Sequence, residues 1–105
     1  IYVRDCVDVM VWLYQNKHVS GLFNLGTGTA RTFNDLARAM FAAVGKPEKI
    51  SYIDMSESLR PRYQHYTLAD MAKLRAAGYT KPFTDLETGV QDYVQHYLRT
   101  DDKYR

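Results

Sequence analysis

The sequence lacks most features of a disulfide-stabilised, membrane-spanning or nucleic-acid-binding protein. Cys6 is the only cysteine, so no internal disulfide can form, and we expect it to be a small buried core residue. No apolar run approaches the roughly 20 residues that a transmembrane helix needs. The net charge is +2, and the basic residues are scattered along the chain. Because a nucleic-acid-binding surface needs clustered basic residues, this class of function is not indicated.

Metal-binding and catalytic motifs are missing as well. His18, His65 and His96 lie far apart in the sequence and lack the spacing typical of metal ligands. No serine, cysteine or carboxylate pair stands in a recognisable catalytic pattern. Asp5 and Asp8 share a face of a predicted helix, and helix capping accounts for both. We therefore predict no catalytic, cofactor-binding or metal-binding residue in this chain.

The composition that remains is typical of a globular protein. Hydrophobic residues make up 46% of the 105 residues and charged residues 25%, a balance that argues against disorder. This length is sufficient for one small domain with a single core. The chain begins at Ile1, inside an apolar segment and without a methionine, so we expect it to be part of a longer protein.

The order of the predicted elements indicates an α/β fold. Residues 5–17 carry apolar side chains on several sides of a predicted helix, which we therefore expect to be buried on more than one side. Residues 21–25 and 49–54 are short strand-like segments, and the predicted helix between them begins after Thr32 and ends at Gly45. Strand, helix and strand in this order form a βαβ unit with parallel strands.

Two more helices are predicted near the end of the chain. Residues 67–70 and 84–87 both resemble capping boxes, and Gly78 is expected to end the first of these helices. These flanking helices would pack on the βαβ unit. We place one structural unit at residues 1–99 and a flexible, solvated tail at residues 100–105.

The turn Gly26-Thr27-Gly28 has two interpretations. Its glycines could allow the pyrophosphate of a dinucleotide to approach the backbone at the start of a helix, with Asp54 as the acidic ribose ligand. Arg31, however, replaces the third glycine of that motif, and Asp54 lies farther along than the usual distance of roughly 20 residues. We favour a tight turn that requires a positive φ before a capped helix.

The strongest candidate for a binding site is a loop that contains Arg60, Arg62, Tyr63 and Gln64. Arginine presents a planar fork of donors that matches two phosphate oxygens, and tyrosine offers both a hydroxyl and a ring to a sugar or base. Pro61 stiffens the turn and so lowers the entropy lost on binding. We predict an anionic, hydroxyl-rich ligand; the alternative is a solvated loop whose tyrosines pack on the following helix.

Several runs occur in the same order as in the C-terminal part of extended short-chain dehydrogenase/reductase enzymes that act on nucleotide sugars. The chain resembles this family over residues 1–99, and most closely its ADP-glycero-manno-heptose 6-epimerases. The most specific motifs are Arg62-Tyr63-Gln64 and Leu74-Arg75-Ala76-Ala77-Gly78-Tyr79. The other matching runs are Tyr2-Val3-Arg4-Asp5, Val19-Ser20-Gly21-Leu22-Phe23-Asn24-Leu25-Gly26-Thr27-Gly28, Arg60-Pro61-Arg62-Tyr63, Ala69-Asp70 and Pro82.

The resemblance implies a division of labour between two domains. Family members have an N-terminal Rossmann domain that binds NADP and carries a Tyr-x-x-x-Lys catalytic pair. Neither is found in this chain, in which no tyrosine is followed four residues later by lysine. What remains resembles the small C-terminal substrate-binding domain, which implies that Tyr63 binds the ADP-heptose substrate and that Arg62 contacts its phosphates. Cys6, Met10 and the Arg60-Pro61 pair depart from the family pattern.

The implied reaction converts ADP-D-glycero-D-manno-heptose to ADP-L-glycero-D-manno-heptose, for the inner core of lipopolysaccharide. Oxidation at C6 and reduction from the other face leave no net redox change. The resemblance further implies an NADP-dependent isomerase that is cytoplasmic and homo-oligomeric, with this chain inactive without its own N-terminal Rossmann domain. Two alternatives are a fragment of another nucleotide-sugar epimerase or dehydratase, and a non-enzymatic α/β interaction module.

Overall fold

The computed structural model describes residues 1–100, and these residues form a helical fold. Helix α4 continues directly into a π-helical turn at Val94–Leu98, and one turn of 3-10 helix lies at Arg60–Arg62. The predicted tail lies outside the described residues except for Thr100, whose hydroxyl donates to the Tyr97 carbonyl at 2.9 Å. The α-helices are α1 (Val3–Gln15), α2 (Phe33–Val44), α3 (Ala72–Ala76) and α4 (Leu86–Tyr93).

The predicted βαβ unit is not confirmed, and the α/β class is corrected to a helical one for residues 1–100. Neither residues 21–25 nor residues 49–54 form a strand in this part of the chain. A strand needs a neighbouring strand to pair its backbone groups, and the two segments do not supply one for each other. Ile53 shows the result, because its side chain is 94% exposed although its sequence context is strand-like.

Helix α2 forms where the sequence predicts it. The Thr32 hydroxyl accepts a hydrogen bond from the Asp35 amide at 3.0 Å, and the Thr32 amide donates to the Asp35 carboxylate at 2.9 Å. This capping box fixes the first turn. Gly45 ends the helix with a φ of 68°, in the left-handed region that glycine adopts at helix ends. The predicted start and end of α2 are therefore confirmed.

Helix α1 begins two residues before the predicted start, and this shift changes the role of Asp5. Asp5 lies in the first turn and is buried. Its carboxylate accepts hydrogen bonds from the Thr84 amide at 2.8 Å and from the Thr84 hydroxyl at 2.9 Å. The capping interpretation of Asp5 is therefore wrong: the carboxylate joins α1 to the segment before α4. The Asp8 carboxylate likewise pairs with the Lys81 ammonium group.

The core lies between α1, α3 and the segments that flank α3. Its buried members are Val9, Met71, Leu74 and Tyr79, and the Trp12 ring meets the Tyr79 ring edge to face at 5.4 Å. Partly buried side chains surround them: Leu13, Phe23, Leu25, Ala69 and Phe83.

Only one face of α1 contributes to this core, so the prediction that the helix is buried on several sides is wrong for the described residues. Cys6 is only partly buried, not fully as expected.

The last two helices exist, but they begin later than predicted. The Met71 position precedes α3, and the Asp70 carboxylate accepts from the Ala72 amide at 2.8 Å. Helix α4 is capped by Asp85, which accepts from the Thr88 amide at 2.7 Å. The predicted box at residues 84–87 does not form because both of its side chains have other partners. Thr84 binds Asp5, and Glu87 binds Arg31.

Candidate ligand-binding loop

The candidate site is the segment from Ser56 to Tyr66, hereafter the arginine loop. Its backbone is folded by local hydrogen bonds, in which the Leu59 amide donates to the Ser56 carbonyl at 3.0 Å and the Arg62 amide to the Leu59 carbonyl at 3.0 Å. Pro61 lies in the first turn of the 3-10 helix, where its missing amide donor costs no hydrogen bond. The sequence-predicted stiff turn between the two arginines therefore corresponds to a helical turn.

The two arginines of the loop differ in their partners. The Arg60 guanidinium lies 3.4 Å from the Glu57 carboxylate, whereas the Arg62 guanidinium forms no hydrogen bond or ion pair with any residue from 1 to 100. Both side chains are exposed. An unpaired guanidinium keeps all five of its donors for an incoming anion. Arg62 is therefore the better placed of the two to bind a phosphate group.

Tyr63 follows Arg62 directly, and its ring orientation is set by a neighbour. The His65 ring meets it edge to face with the ring centroids 5.1 Å apart. The Gln64 amide group donates to the Tyr66 carbonyl at 3.2 Å, which holds the backbone between them. The Tyr63 side chain is 39% exposed, and its hydroxyl has no hydrogen-bond partner among the described residues. The hydroxyl can thus donate to a ligand oxygen.

The charge of the loop favours an anion. Arg60 and Arg62 contribute two positive charges between Ser56 and Tyr66, and Glu57 is the single acidic residue in that segment. Because Glu57 already lies beside Arg60, the charge next to Tyr63 is the uncompensated one of Arg62. An anionic group with neighbouring hydroxyls is the ligand chemistry that this pair of side chains suits.

The glycine turn supports the segment that follows the arginine loop. A Cβ atom at Gly26 would lie 2.6 Å from the Cβ of Ala69, so only glycine permits this close approach. Gly28 has a φ of 74°, and this confirms the interpretation of a tight turn that requires positive φ. A Cβ at Gly28 would lie 3.4 Å from the Met71 side chain. The turn is therefore packed against residues 69–71, shortly after the end of the arginine loop.

The same turn does not fit the phosphates of a dinucleotide such as NADP. The Arg31 guanidinium is engaged with both oxygens of Glu87, one at 3.0 Å, and with the Asp35 carboxylate at 3.4 Å. The Thr32 and Asp35 amides at the start of α2 already donate within the capping box. A phosphate here would meet two carboxylates, and the Arg31 guanidinium and the Thr32 and Asp35 amides are already engaged, which is unfavourable.

The pKa values of these two carboxyl groups support that conclusion. The hydrogen bond from Arg31 lowers the pKa of the Glu87 carboxyl below its ordinary value, and backbone hydrogen bonding at Thr32 lowers the pKa of Asp35. Both groups are therefore held in the anionic form. Arg31, which follows the glycine turn, thus links Asp35 of α2 to Glu87 of α4.

A second polar cluster joins the start of α1 to residues 92–97, and no pattern in the sequence indicated it. The Tyr2 hydroxyl donates to the Asp92 carboxylate, Arg4 donates to the Tyr97 hydroxyl at 2.6 Å, and His96 lies 2.9 Å from Asp92. Burial, together with the bond to Asp92, raises the pKa of Tyr2 to about 12. Because about 90 residues separate Tyr2 from Asp92 and Arg4 from Tyr97, no local motif could reveal these two contacts.

Neither a metal-binding cluster nor a membrane-spanning helix is found in residues 1–100. No group of three or more histidine, cysteine, aspartate or glutamate side chains converges there in a way that could hold a metal ion. Within the same range, no helix has the length and apolar character required to cross a membrane. The arginine loop is the feature of this range whose unpaired groups suit a ligand.

Residues 1–100 thus form a helical unit with an exposed arginine and tyrosine on one loop and a glycine turn whose neighbouring Arg31 is already paired. No protein-family model matches the chain. The chain is 55% identical over 104 residues to the ADP-L-glycero-D-manno-heptose-6-epimerase of Nitratidesulfovibrio vulgaris strain Hildenborough, a match that covers 99% of this chain and 32% of the relative. The enzyme of the same name from Fusobacterium nucleatum is 46% identical over 110 residues, covering 99% and 33%.

A third relative, the ADP-L-glycero-D-manno-heptose-6-epimerase of Alkalilimnicola ehrlichii, is 50% identical over 92 residues, covering 88% of this chain and 28% of the relative. The predicted resemblance to these epimerases is therefore confirmed. The chain is related to one segment of them and spans about a third of the length of the curated relatives it matches.

Proposed function

We propose that this chain is the substrate-binding part of a longer, NADP-dependent epimerase that converts ADP-D-glycero-D-manno-heptose to ADP-L-glycero-D-manno-heptose for lipopolysaccharide inner-core synthesis. The observation that carries the proposal is 55% identity over 99% of the chain to a protein of that name. The unpaired Arg62 beside Tyr63 supports it, since a nucleotide diphosphate supplies the anion that this loop suits.

The proposed division of the longer protein follows from what residues 1–100 can and cannot hold. Residues 1–99 bind the substrate. The glycine turn does not fit a dinucleotide, so NADP binds in the remainder of the protein, in a Rossmann domain, and supplies reversible hydride transfer there. The catalytic pair is assigned to the same domain. On this proposal the longer enzyme is a cytoplasmic homo-oligomer, and the 105 residues alone have no epimerase activity.

The task of the arginine loop is to hold the ADP end of the substrate. Arg62 would donate two parallel hydrogen bonds to phosphate oxygens, and the Tyr63 hydroxyl would donate to a phosphate or ribose oxygen. Holding that end leaves the sugar free to present either face of C6 to the catalytic domain. Binding energy from the non-reacting ADP end can in this way position the reacting carbon.

The proposal is tested by Tyr63→Phe in the longer enzyme. Loss of one neutral hydrogen bond of about 1 kcal/mol is expected to raise the KM for ADP-heptose roughly fivefold, with bound NADP unchanged. Tyr66→Phe is the matched control, because Tyr66 is an exposed tyrosine of the same loop to which the proposal assigns no ligand contact. Equal KM values for both variants and the parent would contradict the assignment of Tyr63.

The substrate class is tested with the parent enzyme. Turnover of ADP-heptose is expected to exceed turnover of UDP- and GDP-linked sugars. Preference for a UDP- or GDP-sugar would instead assign the chain to another nucleotide-sugar epimerase or dehydratase.

A further inference from the structure

Tyr63 and His65 lie on the same side of an extended segment of the arginine loop. The backbone leaves the 3-10 turn at Tyr63 with a φ of −80° and a ψ of 126°, which is extended geometry. Side chains two positions apart point to the same side of an extended chain, so the two rings are neighbours. The intervening Gln64 alternates to the other side, and its amide group donates to the Tyr66 carbonyl at 3.2 Å.

The contact between the two rings has a geometry that aromatic side chains prefer. The ring centroids are 5.1 Å apart and the ring planes are inclined by 69°, so the edge of one ring faces the plane of the other. Such pairs attract each other beyond the area they bury, because the positive edge of one ring meets the negative face of the other. Within residues 1–100, His65 is the aromatic residue in contact with Tyr63.

The rest of the Tyr63 side chain is only weakly held in place. Its hydroxyl has no hydrogen-bond partner among the described residues, and the residue is 39% exposed. Without the ring contact, an exposed side chain exchanges between staggered rotamers, and a ligand must then immobilise it at a cost in affinity. A contact that selects one rotamer before the ligand arrives lowers that cost.

The ring of His65 is better defined than its nitrogen atoms. In the part of the chain that the structure describes, His65 forms no hydrogen bond, so neither ring nitrogen is oriented by a partner. A direct contact with a phosphate would need such an oriented donor, whereas an indirect role needs only the ring. The geometry with Tyr63 therefore favours the indirect role.

We propose that His65 is a positioning residue for the ligand-binding tyrosine: its ring holds the Tyr63 ring so that the hydroxyl points toward the ADP end of the substrate. This inference rests on the proposed function, in which Tyr63 binds ADP-heptose. It goes further in assigning a role to a residue beyond Arg62 and Tyr63. The part of His65 that carries this role is its aromatic ring, and the nitrogen atoms are dispensable.

The test is a double-mutant cycle in the longer enzyme, with the Kd for ADP-heptose measured by calorimetric titration. His65→Ala is expected to raise the Kd roughly threefold, because the contact that orients Tyr63 is lost. His65→Phe keeps a ring at this position and should stay within about 1.5-fold of the parent. In a Tyr63→Phe background, which lacks the hydroxyl, His65→Ala should change the Kd by less than about 1.5-fold. The matched control is His18→Ala, which replaces an exposed histidine outside the loop and should leave the Kd unchanged.

The outcomes separate this inference from the proposed function. If Tyr63→Phe weakens binding and His65→Ala has equal effects in both backgrounds, the positioning is overturned and the binding role of Tyr63 stands. If His65→Phe loses as much affinity as His65→Ala, the nitrogens contact the ligand directly and the positioning is again overturned. A lower melting temperature of His65→Ala with an unchanged Kd would make the residue a structural one. An unchanged Kd for Tyr63→Phe would contradict the assigned site and the positioning together.

A second measurement needs no ligand. Tyr63 is replaced by fluorotyrosine in the longer protein, and the fluorine resonance reports the ring beside it. His65→Ala is expected to shift this resonance, and His65→Phe should shift it less because an aromatic ring remains there. A resonance that is unchanged in His65→Ala would overturn the ring contact, even in a protein that binds no ADP-heptose.

Discussion

The arginine loop and the segment that follows it are held in the fold by different kinds of contact. Within the described chain, the hydrogen bonds, ion pair and ring contact of the loop join residues at most four positions apart. In contrast, Lys73 donates to the Leu22 carbonyl across 51 positions, and Thr84 donates to Asp5 across 79.

This difference suggests that binding and stability are largely separate in this chain. Side chains that keep unpaired donors for a ligand lie on a locally folded loop, whereas long-range contacts form the frame that carries the loop. Substitutions in the frame should therefore lower stability, and substitutions in the loop should lower affinity. The glycine turn packs against residues 69–71, shortly after the loop, so substitutions in the turn should lower both stability and affinity.

The largest loss of stability is expected from Leu74→Ala. Leu74 is 1% exposed and lies in the core cluster, so truncation leaves a cavity that costs about 2–5 kcal/mol of unfolding free energy. Thermal or denaturant unfolding of the longer enzyme would measure the change. Leu68→Ala is the control, because Leu68 is 46% exposed and should cost much less. A similar loss for both would contradict the proposed position of the core.

A smaller loss of stability is expected from Gly26→Ala, and it should be accompanied by a change in substrate binding. The added Cβ would overlap the Ala69 side chain, and overpacking of this kind costs about 1–3 kcal/mol. Because residues 69–71 lie only a few positions after Tyr66, the last residue of the arginine loop, the KM for ADP-heptose should rise as well. The double variant Gly26→Ala with Ala69→Gly should recover much of both losses. If it recovers neither, the contact between turn and loop end does not explain the effect.

The smallest effect is expected from Glu87→Gln, which should change how the melting temperature depends on pH. The Arg31 hydrogen bond lowers the pKa of the Glu87 carboxyl below its ordinary 4.5, so its stabilising contribution is fully present above that pH. The contribution is lost as the pH falls through the lowered pKa of the folded protein. The melting temperature of the variant should therefore be lower than that of the parent at neutral pH and should approach it in acid. A difference independent of pH would contradict this.

Local sequence chemistry predicted some of this architecture. The predictions that were wrong have a common cause, which is dependence on residues far away in the sequence. The capping box at Thr32 and the turn at Gly45 depend on neighbouring residues only, and both were confirmed. The prediction of strands at residues 21–25 and 49–54 was wrong, because a strand requires a neighbouring strand to pair with and these two segments do not pair with each other. Asp5 was misassigned because its partner Thr84 is far away in sequence.

The candidate site shows the same limit. Residue type pointed to Arg60, Arg62 and Tyr63 alike, and only the family resemblance selected Arg62 and Tyr63. The structure adds a physical difference between the two arginines, because the Glu57 carboxylate lies beside Arg60. The role of either residue in binding stays a prediction.

The central claim is tested most directly by calorimetric titration of ADP-heptose into the Arg62→Gln and Arg60→Gln variants of the longer enzyme. A hydrogen bond to a charged group contributes about 1.5–3 kcal/mol, so Arg62→Gln is expected to raise the Kd by roughly tenfold to a hundredfold. Arg60, which already has a carboxylate partner, should change the Kd by less than about threefold when replaced. An unchanged Kd for Arg62→Gln in a folded enzyme with full NADP content would contradict the account.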